Sequence, residues 1–262
     1  MPDEHESRRP TAQIIFERVK EDADEELERP QHALFASAVF AGFTLGASPL
    51  ALSLALALLT GADERFVAAL LYPIGYVAVI VGRAQLFTEN TLYPVVSSLE
   101  DIGRLPRTGL LWLSVLTGNL VGAAAFALLA VKSPALPSHA VTEFVHIGTT
   151  TAAHGFIHGF WAAVFAGWLL ALVAWVIEGC DDTIGQIAVI WLLTLPVGLA
   201  AFDHSVASAF TMFGALFDGQ IGLGRMIGWE GTAILGNALG GVVIVALLNF
   251  GQATSRGAEA SG

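Results

Sequence analysis

The stretch Ala200-Ala201-Phe202-Asp203-His204-Ser205-Val206-Ala207-Ser208 sets an acid, an imidazole and two hydroxyls between two apolar segments, Ile184–Phe202 and Val206–Phe217. In a bilayer core such groups are costly unless they face protein or water. The chain around this stretch reads as membrane helices, so residues 202–205 are the first candidates for function.

The composition supports that setting. The 262 residues are 55% hydrophobic and 13% charged, with a mean hydropathy of +0.67, outside the usual balance of a soluble domain. The formal charge of −11 says little about partners, because ten acidic residues lie before residue 30, in a solvated segment. Neither a basic stripe nor aromatics interleaved with Lys and Arg are present, which argues against nucleic-acid binding. Cys180 is the only cysteine, so no internal disulfide is expected, and no metal site or other cofactor is indicated. No basic stretch followed by a short apolar run opens the chain, so the first span is expected to serve as the insertion signal.

Residues 1–30 form an acidic tail in which Ile14, Ile15, Phe16 and Val19 have near-helical spacing. A short amphipathic cytosolic helix and a disordered acidic tail both fit. Six apolar segments follow, at Leu34–Leu59, Phe66–Gln85, Leu110–Val131, Phe156–Ile177, Ile184–Phe202 and Thr232–Phe250. Each approaches the ~20 residues that cross a bilayer. Thr91–Leu99 and Val206–Phe217 are too short to span, so they extend the second and fifth segments beyond polar breaks. The expected domain occupies 31–252, with a cytosolic tail at 253–262. With both termini inside, eight Lys and Arg fall on the inner side and three on the outer, which favours cytoplasmic termini.

The halves resemble each other. AVFAG recurs at 38–42 and 163–167, TGNLVG at 117–122 matches LGNALG at 235–240, and LFTEN at 86–90 falls opposite AFDHS at 201–205. A three-span unit repeated once must enter the membrane upside down the second time, giving a 3+3 inverted repeat. Its two broken helices would meet near the midplane, where their ends and side chains form one site for a small anion.

His204 changes charge near physiological pH and is the candidate proton carrier, with Thr88 facing it as hydroxyl donor or acceptor. A structural histidine bonded to a backbone carbonyl is the alternative. On this alignment Glu89 is the counterpart of His204 and Thr88 that of Asp203. Glu89 is expected to pair with Arg83 across the loop, and Asp203 either to meet the imidazole or to cap a half-helix. Leu86, Phe87 and Phe202 either narrow the path to an apolar slit or simply pack. Asn90 and Ser208 support the loops. Asn119 and Asn237, each in a Gly-Asn-x-x-Gly setting, read as helix-joining residues. His154 and His158, four apart at the entrance of the fourth span, lack a third ligand for a metal.

The LFTEN loop, the FDHSVAS break, the GNALGG start of the last span and the 3+3 repeat together resemble the formate/nitrite transporter family, over roughly residues 31–250. The resemblance implies a homopentamer of aquaporin-like protomers in the cell membrane. Each would have its own pore for small monovalent anions, often coupled to protons. Its loop Leu-Phe-Thr falls on Leu86, Phe87 and Thr88, its pore histidine on His204, and the acid before it on Asp203. This chain departs from the family at Thr151, where a lysine is usual, and at Gly167 and Ser208, where asparagines are usual.

The expected function is a channel or secondary transporter, not an enzyme, for a small weak-acid anion that takes a proton through His204 and leaves as the neutral acid. A neutral-solute or water channel is the rival reading. A hydrolase using Ser205 or Ser208 with His204 has awkward geometry and no nucleophile elbow.

Overall fold

The computed structural model describes residues 10–252, and among them every regular element is helical. The 253–262 tail and the first residues of the acidic tail lie outside the described residues. Among the described residues, five helical stretches are long and apolar enough to cross a membrane: Gln31–Leu58, Glu64–Val81, Ile102–Lys132, Phe156–Ile177 and Leu223–Gln252. A further apolar helix, Thr183–Leu199, has 17 residues. Large apolar side chains cover the outside, among them Phe40, Leu113, Ile184 and Leu192, all more than half exposed. Such a surface belongs against lipid or against another copy of the chain.

The expected boundaries shift in instructive ways. The first span divides into α2 (Gln31–Thr44) and α3 (Ala47–Leu58), joined by a tight turn at Leu45–Gly46. The second holds α4 (Glu64–Ala69) and α5 (Ile74–Val81), and ends four residues before Gln85. After an irregular stretch, α6 (Tyr93–Glu100) begins with Pro94 in its first turn, where a missing N–H costs nothing. Beyond it, α7 (Leu105–Lys132) crosses the fold. Then comes α8 (Ser138–Ala153), a helix that reading the chain as apolar spans passes over, because its threonines and histidines lower its hydropathy. It packs against α3 and against α11 (Ala209–Phe217), which follows the second irregular stretch. Between them lie α9 (Phe156–Ile177) and α10 (Thr183–Leu199). The last span, α12 (Leu223–Ala238), starts nine residues before the expected Thr232 and widens into π-helical turns over Leu239–Leu247.

The deepest helix contacts use small residues. A Cβ on Gly42 of α2 would stand 2.2 Å from the Asn119 carbonyl of α7, and one on Gly167 of α9 would stand 2.2 Å from the Asn237 carbonyl of α12. Glycine lets each pair of backbones touch and brings each asparagine within reach of the irregular stretches. Gly167 is the position where the family often has an asparagine, and contact with α12 leaves no room for a side chain there.

Of the two readings of the tail, the helix is the one found: α1 (Ala12–Glu28), capped by the Thr11 hydroxyl, lies under the bundle. Phe16, Val19 and Ala23 are buried, and the first two pack into a cluster with Leu92, Val95, Val96 and Trp175. Ion pairs surround this face: Arg18–Asp181 at 3.1 Å, Lys20–Glu100 at 2.6 Å, Asp22–Arg83 at 3.0 Å, and Asp24–Arg104. Exposed pairs contribute at most about 1 kcal/mol each, whereas burying a Phe or Val side chain contributes roughly 1.5–3 kcal/mol. The apolar face therefore holds α1 down, and the ion pairs fix its register. Burial pushes the Glu26 carboxyl above its usual range, although Arg29 is bonded to it.

Candidate functional site

The two irregular stretches, 82–92 and 200–208, have the same backbone design. At the end of α5, Arg83 takes φ 53°, and at the end of α10, Ala201 takes φ 51°. The left-handed residue reverses the chain and is followed in each case by a longer turn, Ala84 N–H to Val79 C=O at 3.0 Å and Phe202 N–H to Val197 C=O at 3.0 Å. An asparagine from a neighbouring helix then clamps each stretch. Asn119 Oδ1 accepts from Phe87 N–H at 2.9 Å, and its Nδ2 donates to the carbonyls of Gln85 and Ala38 at 2.8 Å each. Asn237 Oδ1 accepts from Ser205 N–H at 2.8 Å, and its Nδ2 donates to the carbonyls of Asp203 and Ala163 at 3.1 and 2.7 Å. Irregular backbone at depth is tolerated only when its polar groups are satisfied by protein, and these two side chains do that.

These bonds register the stretches at an offset of 118 residues, which corrects the alignment of LFTEN with AFDHS at 115. Leu86 is thus the counterpart of His204, Gln85 of Asp203, and Thr88 of Val206. The Gly-Asn-x-x-Gly segments already carried the offset of 118, and their asparagines are the residues whose importance the sequence reading understated.

His204 and Thr88 do meet: Nε2 lies 3.0 Å from Oγ1, and both residues are fully buried. The other ring nitrogen, Nδ1, accepts from Val206 N–H at 3.1 Å and Ala207 N–H at 2.9 Å. Those amides open the turn leading into α11, and the imidazole serves them as an N-cap side chain would. Ser208 completes the cap, its hydroxyl accepting from His204 N–H at 3.1 Å. With Nδ1 committed as acceptor, the neutral ring carries its proton on Nε2 and donates it to Thr88. Among the described residues Thr88 Oγ1 has no other hydrogen-bond partner, so its own hydrogen is free to point elsewhere. The edge of the Tyr76 ring packs on His204 with centroids 5.7 Å apart, and Tyr76 shares a hydroxyl contact of 3.2 Å with Tyr72. Two tyrosines four apart in an apolar run were the available signal for this packing.

Two cavities lie at opposite ends of α10, each lined by residues that flank this pair in sequence. The larger, about 510 Å3, opens beside α1 and is lined by Leu86, Glu89 and Asn90 together with charged residues of α1. The smaller, about 50 Å3, is lined by Phe202, Ala207, Ser208 and Thr151. Phe87, like Thr88 and His204 themselves, lines neither, and its ring packs edge-on against Trp112 at 5.8 Å. Phe202 stacks on Phe165 at 5.2 Å. Asn90 donates to Gln85 Oε1 and to the Leu86 carbonyl at 3.0 Å each, tying the first loop together.

Three expectations about charge are corrected. Arg83 does not pair with Glu89: its reversed backbone throws the side chain outward to Asp22 of α1. Asp203 neither meets the His204 ring nor caps a half-helix. Its carboxylate lies 3.3 Å from His154 Nδ1 at the end of α8, in space left by Gly159, where a Cβ would come within 3.0 Å. His154, read as solvated, is half-buried beside that acid, whereas His158 is exposed, as expected, with its ring tilted against that of His154 at a centroid distance of 4.3 Å. Neither serine bonds the imidazole, since Ser205 Oγ has no partner and Ser208 takes a backbone amide, so the hydrolase geometry is not formed. Among the described residues no group of three or more His, Cys, Asp or Glu side chains could hold a metal ion.

Comparison with known proteins gives the family. The chain is 32% identical over 256 residues to the inner membrane protein YfdC of Escherichia coli strain K12, covering 94% of this chain and 81% of that one. Its fold is that of an FNT family ion channel, with a TM-score of 0.81 at 19% identity, covering 90% of this chain and 97% of that one. A pentameric formate channel with formate bound superposes with a TM-score of 0.67 at 18% identity over 83% of this chain and 95% of that one. The family model described as formate/nitrite transporter matches residues 12–251, and the chain belongs to that family of membrane transporters and channels.

Proposed function

We propose that this protein conducts a small monovalent weak-acid anion, of the formate or nitrite type, through a path centred on Thr88 and His204. The observation that carries the reading is the buried Thr88–His204 bond, whose sequence neighbours line two cavities at opposite ends of α10. In this reading the second and fifth of six spans are broken at depth, the halves form a 3+3 inverted repeat, and the matching bonds at an offset of 118 support it. The protomers assemble as a homopentamer in the cell membrane with both termini in the cytoplasm, as the pentameric neighbour and the Lys and Arg distribution suggest.

The chemistry follows from the fixed tautomer. His204 donates to Thr88, and the polarised Thr88 hydroxyl donates to the anion, replacing part of the hydration lost between Leu86 on one side and Phe202 on the other. A donor chain of this kind lowers the cost of desolvating an ion and takes nothing from the neutral acid. Because two amides aim at Nδ1, forming an imidazolium breaks the cap of α11. His204 is therefore a donor first, and proton coupling draws on another group. At the outer mouth the usual lysine is absent, but Arg225, which donates to the carbonyls of Ala152 and His154, supplies positive charge near Thr151.

The test is formate and nitrite uptake by proteoliposomes containing wild-type or His204→Asn protein. Asparagine caps a helix well but cannot cap and reach Thr88 together, so uptake is expected to fall by about tenfold or more, the worth of one lost donor to a charge. Unchanged uptake across pH 5–8 rejects the centre. Osmotic swelling without anion uptake selects the neutral-solute channel, a reading favoured by the acidic lining of the larger cavity.

A further inference from the structure

The cavity beside α1 holds a carboxylate that the proposed path does not use. Glu89 follows Thr88 directly, lines the cavity floor and is only 7% exposed. No hydrogen bond or ion pair reaches its carboxylate among the described residues. The surroundings explain why. From α1, Arg18 is held by Asp181 and the Glu178 carbonyl, and Arg29 by Glu26. From the turn after α5, Arg83 is held by Asp22. Among the described residues, every cation lining the cavity is thus committed elsewhere. The remaining ionisable neighbours are Glu25 on α1, Tyr93, which donates to Glu178 at the end of α9, and the Cys180 thiol, which is turned to the Val176 carbonyl. None of them offers Glu89 a positive charge.

A lone carboxylate this deeply buried avoids the cost of its charge by carrying a proton, and the cavity gives water access to renew it. Ionised, it would repel an anion at the approach to Thr88. Protonated, it is an uncharged donor beside the path.

We infer that Glu89 is a proton-exchange site which takes protons from the cavity on the α1 side and hands them to the weak-acid anion at Thr88. In that step the O–H bond of Glu89 breaks, an O–H bond forms on the anion, the neutral acid departs, and the Glu89 carboxylate is reprotonated from cavity water. The inference rests on the weak-acid reading above and supplies the proton that the capped His204 ring is poorly placed to give.

The test uses full-length protein in proteoliposomes of known orientation and measures labelled formate uptake. The pH on the α1 side is varied from 5 to 8 while the opposite side stays at 7. For wild type, uptake is expected to change by about fivefold or more over this range, as for one titrating group. In Glu89→Gln it is expected to vary by less than about twofold. Glu89→Asp, which keeps an ionisable group, is expected to restore the dependence, and an unchanged elution profile on size exclusion verifies that each variant is assembled. A Glu89→Gln profile as steep as wild type overturns the inference, even if His204→Asn still abolishes uptake and the proposed centre stands. Absence of formate and nitrite uptake in wild type overturns both.

Discussion

The stretches 82–92 and 200–208 share a backbone and differ in almost every side chain that matters. Each reverses at a left-handed residue, each is clamped by an asparagine through two hydrogen bonds while a third ties that asparagine to a neighbouring helix, and each leads into a short helix. Yet Leu86 stands where His204 does, and Thr88 where Val206 does. The difference separates frame from chemistry: the frame is built twice, whereas the donor pair is assembled once, from non-equivalent positions of the two stretches. One half contributes the histidine and an apolar group at the position after next. The other contributes a leucine, lining the larger cavity, and the threonine.

If the frame is truly shared, its two clamps are equally indispensable. Replacing Asn119 or Asn237 by Ala leaves one amide and one carbonyl of the irregular stretch buried without partners, since the third group, the Ala38 or Ala163 carbonyl, keeps its place in a helix, and each unpaired group costs about 1–3 kcal/mol. The expected loss is several kcal/mol, read as a large fall in thermal stability of the detergent-solubilised protein and in membrane yield. A tolerated change at one asparagine only would break the equivalence of the stretches. A smaller effect sharpens the comparison at the reversal points. Left-handed backbone disfavours residues with a Cβ by roughly 1–2 kcal/mol, so Ala201→Gly is expected to stabilise by about 1 kcal/mol, after allowing for the added freedom of the unfolded chain. Arg83→Gly gains the same relief but loses the exposed pair with Asp22, so its net effect in the same melting experiment is expected to be smaller.

Much of this was legible in the sequence, because bilayer-length apolar runs and two polar interruptions are signals of physical necessity. The fourth span was found to the residue, Phe156–Ile177, and Thr88 opposite His204 was anticipated. The α8 helix escaped because its polar residues hide a helix that packs on the side of the bundle away from α1. The alignment of the two stretches differs by three residues from the register of their backbone bonds to Asn119 and Asn237, because it matched side chains. The pairing of Arg83 with Glu89 failed for a local reason that spacing does not reveal: a positive φ points the arginine away from its neighbour and towards α1. Likewise nothing in the order of residues announced that Asp203 would turn from the adjacent imidazole to His154, across space that only the glycine at 159 leaves open.

The unequal division of chemistry between equal frames is tested most directly by exchanging the hydroxyl and the methyl at its paired positions and measuring formate uptake into proteoliposomes. Thr88→Val keeps the shape and removes the hydroxyl that His204 polarises, and uptake is expected to fall by about tenfold or more. Val206→Thr adds a hydroxyl at the matching position of the other stretch, and uptake is expected to stay within about twofold of wild type, as no donor chain leads to it. Thr88→Val protein that conducts formate at the wild-type rate would contradict the account.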